Sequence, residues 1–279
     1  MTQHHDQQGG AAAERQAAGA RDPRAVPQYP DLAGRLALVT GGSRGIGAAA
    51  CRALAANGVR VVVNARTRPD IDRLVDELRS QGAEAVGVSG DVSKADQVET
   101  LRRRIEEEHG DVDIVLAFAG GFAAYTPLVE IKEDEWHGVV DANLTSTFLT
   151  LRAFLPRMIE RRAGALVTMA SNAGRYLDIT LTASYAAAKA GIVMLTRHVA
   201  REVGPYGVRV NCVAPATTLT ERVAAIMHEE QRRSVAAMAP LGRLGHPDDT
   251  AHAALYLVSD SAGWITGVTL DVAGGRIML

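Results

Sequence analysis

TGGSRGIG, residues 40 to 47, ends the short apolar run RLALVT (35–40) and opens a stretch, Ile46 to Asn57, that reads as a helix closed by Gly58. Strand, glycine-rich turn and helix in that order make a place where a polyphosphate can lie against main chain. Gly41, Gly45 and Gly47 allow a tight turn, close backbone approach to a diphosphate, and close packing of helix on strand. The helix start adds free N–H groups and the positive end of its dipole. A glycine turn alone is weak evidence. The strand before it and the helix after it give it weight, and the reading is a dinucleotide site.

The same alternation continues outward. Apolar runs at 59–65, 83–89, 112–120, 165–171, 208–215 and 268–275 read as further strands. Between them lie helical stretches at 71–80, 95–109, 133–162, 185–203, 219–239 and 248–258. Strands that are apolar throughout and separated by helices predict a parallel sheet covered on both faces. Right-handed crossovers make this a doubly wound α/β fold of Rossmann type: one seven-stranded parallel sheet, with its ligand crevice at the C-terminal strand ends. No boundary or internal repeat interrupts residues 31–279, which read as one catalytic domain. Residues 1–30 are polar, rich in Ala, Gln and Gly, and read as a flexible extension; His4 and His5 have no third ligand beside them, so no metal site is expected.

Bulk composition narrows the function. The 279 residues carry a net charge of −2, which argues against nucleic acid as the main partner. The one charge run, LRRRIEEEH (101–109), sets Arg102, Arg103 and Arg104 four residues before Glu106, Glu107 and Glu108, a solvated helix face paired across one turn. Cys51 and Cys212 sit in apolar segments and read as buried free thiols, the pattern of a reducing, cytoplasmic setting. No apolar run reaches the roughly 18 residues that span a membrane, and the first 30 residues lack the apolar core of a signal peptide.

One stretch stands out against this background. Lysine occurs at only three positions, Lys94, Lys132 and Lys189, among 30 basic residues. Lys189 lies in SYAAAKAG (184–191), four residues after Tyr185. On a helix the two side chains share a face. A free phenol titrates near pH 10, and a cation about 5 Å away stabilises the phenolate by roughly 3 kcal/mol, or about two pKa units. The expectation is a tyrosine tuned for proton transfer; Tyr-x-x-x-Lys alone is more often an ordinary exposed pair.

Gly-x-x-x-Gly-x-Gly preceded by Thr40, together with Tyr185-x-x-x-Lys189, resembles the short-chain dehydrogenase/reductase family over about residues 32–279. Asp91-Val92 after the third strand, Asn143 in DANLTSTF, Ser171 fourteen residues before Tyr185, and ITGVTLDVAGG match as well. Within the family, PLGRLGHPDD and the closing motif look most like 3-oxoacyl-acyl-carrier-protein reductases. The resemblance implies a catalytic set of Asn143, Ser171, Tyr185 and Lys189. Ser171 would hydrogen-bond the substrate oxygen and Tyr185 would protonate it as NADPH delivers hydride. Lys189 would hold the nicotinamide ribose and tune the tyrosine, and Asn143 would hold a water of a proton relay. Seen alone, Ser171 would be a strand-end cap and Asn143 a helix-start turn. The cofactor would lie along Gly41, Ser43, Arg44, Gly45, Ile46, Gly47, Arg66, Asp91, Val92, Ala119, Gly120, Tyr185, Lys189, Thr218 and Thr220. The resemblance also implies a homotetramer, to which the helix from Tyr185 to Val203 would offer Ala186, Ala190 and Met194.

Two departures stand out. Asn-Asn-Ala-Gly, usual after the fourth strand, is AFAG (117–120) here, which removes amides that tie neighbouring strands; Phe118 is expected either to compensate by packing or to alter the adenosine site. Pro-Gly after the sixth strand is Pro215-Ala216, where alanine would be strained if the backbone needs a positive φ. The second strand ends VVVNAR, with Ala65 where an NAD-selective site carries an acid. Arg66 and Arg44 stand ready for a 2′-phosphate, so NADPH is expected over NADH. The favoured reading is an NADPH-dependent reductase of a 3-oxoacyl thioester or similar ketone. The alternatives are an alcohol or polyol dehydrogenase and a non-catalytic dinucleotide-binding sensor. GFAAYTP (121–127), NAGRYLDITLTA (172–183) and residues 217–240 are expected to line the substrate pocket, with Arg175 read as an exposed cation rather than a ligand for an acid.

Overall fold

The structure, a computed structural model, describes residues 25–122, 125–177 and 181–278. Strands β1 (Leu36–Thr40), β2 (Arg60–Ala65), β3 (Ala85–Ser89), β4 (Ile114–Ala117), β5 (Gly164–Met169), β6 (Val208–Pro215) and β7 (Thr269–Val272) form one sheet in the order β3-β2-β1-β4-β5-β6-β7. Every pairing is parallel. The order reverses between β1 and β4, so their C-terminal ends diverge and open a crevice.

Alternate residues of each strand feed opposite faces. Ala37 and Val39 of β1 join a core cluster with helices α1 (Gly45–Ala55), α2 (Arg68–Ser80) and the later Pro247–Val258 helix. Leu36 and Leu38 point the other way, into a cluster with α3 (Ala95–His109) and the helices Ser146–Arg161 and Ala183–Val203. Both faces are therefore dry, and this is why the strands read as unbroken apolar runs.

The stretch read as one helix, 133–162, is three continuous pieces: α4 (Glu133–Val140), a π-helical turn Asp141–Thr145, and α5 (Ser146–Arg161). Helix α6 is Ala183–Val203. The segment after β6 is two short helices, α7 (Glu221–Ile226) and α8 (Glu229–Ala237), before α9 (Pro247–Val258). The charged face of α3 pairs Arg102 with Glu106 and Arg104 with Glu108, but Arg103 turns to Glu99 instead of Glu107.

Helix α2 guards the sheet's outer edge. Arg79 at its end donates to the Ala85 carbonyl at 2.8 Å, and Arg68 at its start donates to the Gly87 carbonyl at 3.3 Å. These are outward carbonyls of edge strand β3, so two of the acceptors that would otherwise template another strand are occupied. Of the expected extension 1–30, residues 1–24 lie outside the described residues, as do His4 and His5. Where the chain is described, Tyr29 N–H donates to Asn57 Oδ1 at 2.6 Å and Asn57 Nδ2 donates to the Pro27 carbonyl at 2.9 Å, which ties the segment to the end of α1.

Candidate active site

The glycine turn is built for close approach. Gly41 and Gly45 adopt φ of +64° and +55°, conformations that glycine takes without strain. A Cβ on Gly47 would lie 2.2 Å from the Gly41 carbonyl oxygen, so helix α1 can leave the turn this tightly only with hydrogen at that position. Arg44, the N-cap of α1, makes no side-chain cap. The helix start is thus left with uncapped amides facing the crevice, which suits an anionic phosphate.

The departures from the family pattern are absorbed locally. The Thr40 hydroxyl accepts from the Phe118 and Ala119 amides at 3.1 and 3.2 Å, tying β1 to the chain leaving β4. Phe118 is buried in the core beneath α1. Packing and a threonine hydroxyl therefore hold the AFAG segment. Ala216 does not occupy the left-handed region; among the described residues the one non-glycine positive φ is at Arg162. The strain considered at Pro215-Ala216 is absent.

Three of the four catalytic candidates, Ser171, Tyr185 and Lys189, line the crevice, and Asn143 is buried behind the loop after β4. Ser171 follows β5; its Oγ accepts from the Ala173 amide at 3.2 Å and donates to Asn172 Oδ1 at 3.0 Å. Its capping role and its position at the site coexist. The turn it opens lies flat on α6, because a Cβ on Gly174 would sit 2.5 Å from the Lys189 carbonyl carbon. That contact sets Ser171 against Tyr185. Thr182 caps α6 by accepting from the Tyr185 amide at 3.3 Å, which fixes where the helix starts. Lys189 Nζ donates to the Met169 carbonyl at 2.8 Å and lies 5.5 Å from the centre of the Tyr185 ring.

Asn143 sits in the π turn, completely buried. Its Oδ1 accepts from Gly121 N–H at 3.1 Å, and its Nδ2 donates to the carbonyls of Gly121 at 3.0 Å and Val139 at 2.9 Å. A π turn is rare inside a helix and recurs at functional sites. Here it turns Asn143 toward the loop after β4. A Cβ on Gly120 would lie 2.4 Å from Asn143 Oδ1, so the loop and the asparagine fit only because residue 120 is glycine.

The electrostatics correct one expectation. The Tyr185 phenol is pushed above its ordinary value by burial, opposed by Ser171 and by the charge of Arg222. Lys189 does not bring it down. Its ammonium is turned to the Met169 carbonyl, and burial lowers its own pKa to about 8. Desolvation of both groups outweighs the attraction expected from their spacing.

The crevice has a volume of about 550 Å³. Ile46, Phe118 and Gly120 line the end at the glycine turn, Ser171, Tyr185 and Lys189 lie along one wall, and α7 and α8 form an apolar roof. Thr218 and Thr220 line it too, and Thr220 Cγ2 lies 3.1 Å from where a Gly45 Cβ would stand. Arg44 and Arg66 are exposed. Asp91, with buried Val92 beside it, accepts from the Ser93 amide and hydroxyl at 2.9 and 2.8 Å. Burial works against its ionisation, but those bonds and the charges of Arg66 and Lys94 hold its carboxyl below the usual range. Ser43 and Ala119 are partly buried beside the turn. The glycine cradle and uncapped helix start fit a dinucleotide.

Of the expected substrate segments, Gly121, Phe122, Asn172 and Leu181 line the crevice, as does much of 217–240 from Thr217 to Met238, whereas residues 123, 124 and 178–180 lie outside the described ones. Arg175 is not an exposed cation. Its Nε lies 2.7 Å from Asp271 Oδ1 and its Nη2 donates to Oδ2 at 3.0 Å, a largely buried pair tying the Ser171 loop to β7. The partner acid lies 96 residues away, beyond any local pattern. The π turn and the Gly174 contact were invisible to motif reading, whereas the helical stretch 219–239 and the expected lining 217–240 did point to the roof; the single glycine three residues after Ser171 and the threonines that cap α6 and α7 were the other available signals. Among the described residues no group of His, Cys, Asp or Glu could hold a metal ion, and no helix is long and apolar enough to cross a membrane.

A family profile described as enoyl-(acyl carrier protein) reductase matches residues 41–276. The chain is 38% identical over 249 residues to the 3-oxoacyl-acyl-carrier-protein reductase FabG of Vibrio cholerae, covering 89% of this chain and 100% of that one. A crystal structure of 3-oxoacyl-acyl-carrier-protein reductase from Brucella melitensis superposes with a TM-score of 0.87 at 35% identity, covering 93% of this chain and 97% of that one. A second structure of such a reductase from that organism, with bound NAD, gives a TM-score of 0.84 at 35% identity and the same coverage. With the fold, the glycine turn and the tyrosine–lysine pair in agreement, the chain belongs to the short-chain dehydrogenase/reductase family of oxidoreductases.

Proposed function

We propose that this enzyme is an NADPH-dependent reductase of 3-oxoacyl thioesters or similar ketones. The observation that carries the reading is the convergence of Ser171, Tyr185 and Lys189 on one wall of a crevice whose roof is apolar and whose end is the glycine cradle. NADPH, when bound, supplies the hydride. The residues of the cradle, with Arg44, Arg66, Asp91, Thr218 and Thr220, would hold it.

Ser171 turns its hydroxyl hydrogen from Asn172 Oδ1 to the ketone oxygen and orients it. Tyr185 gives its phenolic proton to that oxygen as negative charge develops there. Its raised pKa keeps it protonated at neutral pH, and a developing alkoxide is basic enough to take the proton. Lys189, buried beside the ring and donating to the Met169 carbonyl, would hold the nicotinamide ribose, and the charge of Arg222 and the Ser171 hydroxyl ease the loss of the phenolic proton. The side chain of Asn143 is engaged by Gly121 and Val139, so in this proposal its first task is to position the loop, ahead of holding a relay water. The apolar roof excludes water and accepts an aliphatic substituent.

The same proposal includes assembly as a homotetramer in the cytoplasm. Helix α6 leaves Ala190 and Met194 exposed on one face, with Ala186 partly so, which permits close helix–helix approach. Steady-state turnover against a panel of 3-oxoacyl thioesters and free ketones, with NADPH and NADH, tests the catalytic reading. Turnover of thioester or ketone with NADPH supports it; nucleotide binding without turnover of any member leaves the sensor reading standing.

A further inference from the structure

The roof of the crevice is tied to its wall by one side chain outside the catalytic set. Arg222 of α7 donates through Nη2 to the Phe122 carbonyl at 2.7 Å, and its guanidinium lies 4.6 Å from the centre of the Phe122 ring. The next carbonyl back, that of Gly121, is held by Asn143 Nδ2. Two neighbouring peptide groups of one loop are thus gripped by different elements: the inner one by the helix bearing Asn143, the outer one by the roof. The roof is braced within itself, because Arg232 of α8 donates to the Met227 and Ala224 carbonyls at the end of α7. Among the described residues Arg222 makes no ion pair; its hydrogen bond goes to a main-chain carbonyl that any local shift can release. On the roof's inner side, Thr220 meets the glycine turn at Gly45. Thr220 and Phe122, one residue of each tie, line the same crevice as Tyr185.

We infer that Arg222 is a positioning residue that latches the α7–α8 roof onto the Asn143-anchored loop and thereby controls how fast nucleotide leaves the crevice. The inference rests on the nucleotide reading above. The carbonyl bond is charge-assisted and the ring contact is a cation–π pair, each strong enough to matter though both are exposed. Lysine can reach the carbonyl but cannot also stack its plane on the ring. The latch is therefore expected to be graded across Arg222→Lys and Arg222→Met.

Two measurements test it on the full chain. In the first, NADPH is pre-bound and its release followed by fluorescence in stopped flow. Arg222→Met should release it about ten-fold faster than wild type, Arg222→Lys should fall between, and the melting temperatures should agree. In the second, hydrogen exchange of amides 218–241 is followed in nucleotide-free protein, where Arg222→Met should exchange faster and Arg222→Lys should restore part of the protection. Release and exchange both within two-fold of wild type in Arg222→Met would overturn the latch. Wild type that binds neither NADPH nor NADH would overturn the nucleotide reading, and with it the latch's role in release, while the exchange measurement still judges the latch itself.

Discussion

Lys189 Nζ and the Met169 carbonyl are 2.8 Å apart, so the ammonium of helix α6 is fastened to the last residue of β5, two positions before Ser171. One bond therefore sets the distance between the strand end that carries the serine and the helix that carries Tyr185. The lysine works as a spacer as well as a charge.

Its titration gives the first prediction. Burial lowers the Lys189 pKa from 10.5 to about 8, while Tyr185 is shifted upward. Loss of turnover on the alkaline side should then report the lysine, and reduction should fall as pH rises through about 8. For stability the sign is opposite. The folded-state pKa is depressed, so the unfolded chain binds the extra proton between about 8 and 10.5, and wild type gains stability as pH rises through that window. Lys189→Met, which lacks this titration, should be at least as stable as wild type at pH 7 and lose that advantage toward pH 10.5. Urea unfolding at several pH values checks this; an advantage that grows with pH contradicts it.

Tyr185→Phe removes the proposed proton donor and leaves the fold and the cradle intact. Turnover should drop by about a hundred-fold or more, the ordinary contribution of general acid catalysis, with NADPH binding within a few-fold of wild type. A variant that keeps a tenth of wild-type turnover would show that the proton comes from elsewhere.

Gly120 has φ +144°, and its missing Cβ makes room for Asn143 Oδ1. Gly120→Ala should strain the backbone and displace the asparagine from Gly121, lowering stability by about 2 kcal/mol. The unfolding midpoint in urea reads this directly. An unchanged midpoint would mean that the loop relaxes without Asn143.

Cofactor choice should follow the end of β2. No carboxylate stands at Ala65, and exposed Arg66 lies near enough to Asp91 to lower its pKa. A charge-assisted bond to a 2′-phosphate is worth about 1.5–3 kcal/mol, so NADPH should bind about ten- to a hundred-fold more tightly than NADH. Ala65→Asp with Arg66→Ser should reverse the order by adding repulsion as well as removing attraction. Titration of both nucleotides into wild type decides it, and tighter NADH binding would sink the assignment.

The fold was legible because both faces of the sheet are dry. Val61, Val62 and Val63 are all buried, and such a run has one reading when glycine turns and amphipathic helices alternate with it. The site was legible where its members keep fixed local spacing: the glycines of the turn, and Tyr185 with Lys189 on one helical face. Contacts between distant segments were not legible. No local rule pairs Arg175 with Asp271 or Arg222 with Phe122, and the sense of the Tyr185 shift depends on a desolvation that spacing cannot express. Asn143 was found by its motif, but the π turn that aims it at Gly121 leaves no trace in the hydrophobic period.

The arginines of α2 that occupy the outer carbonyls of β3 also limit how copies of this molecule can join. A sheet with both margins open can add copies head to tail without end, and such growth makes fibres. Here two acceptors of one margin are taken by Arg68 and Arg79, which disfavours strand-to-strand joining there and leaves the β7 margin the more open one. Two identical margins can meet only about a two-fold axis, and a two-fold join closes on itself. Assembly by the sheet edge is thereby biased toward closed pairs, and the device that biases it is a pair of side chains at the ends of one helix.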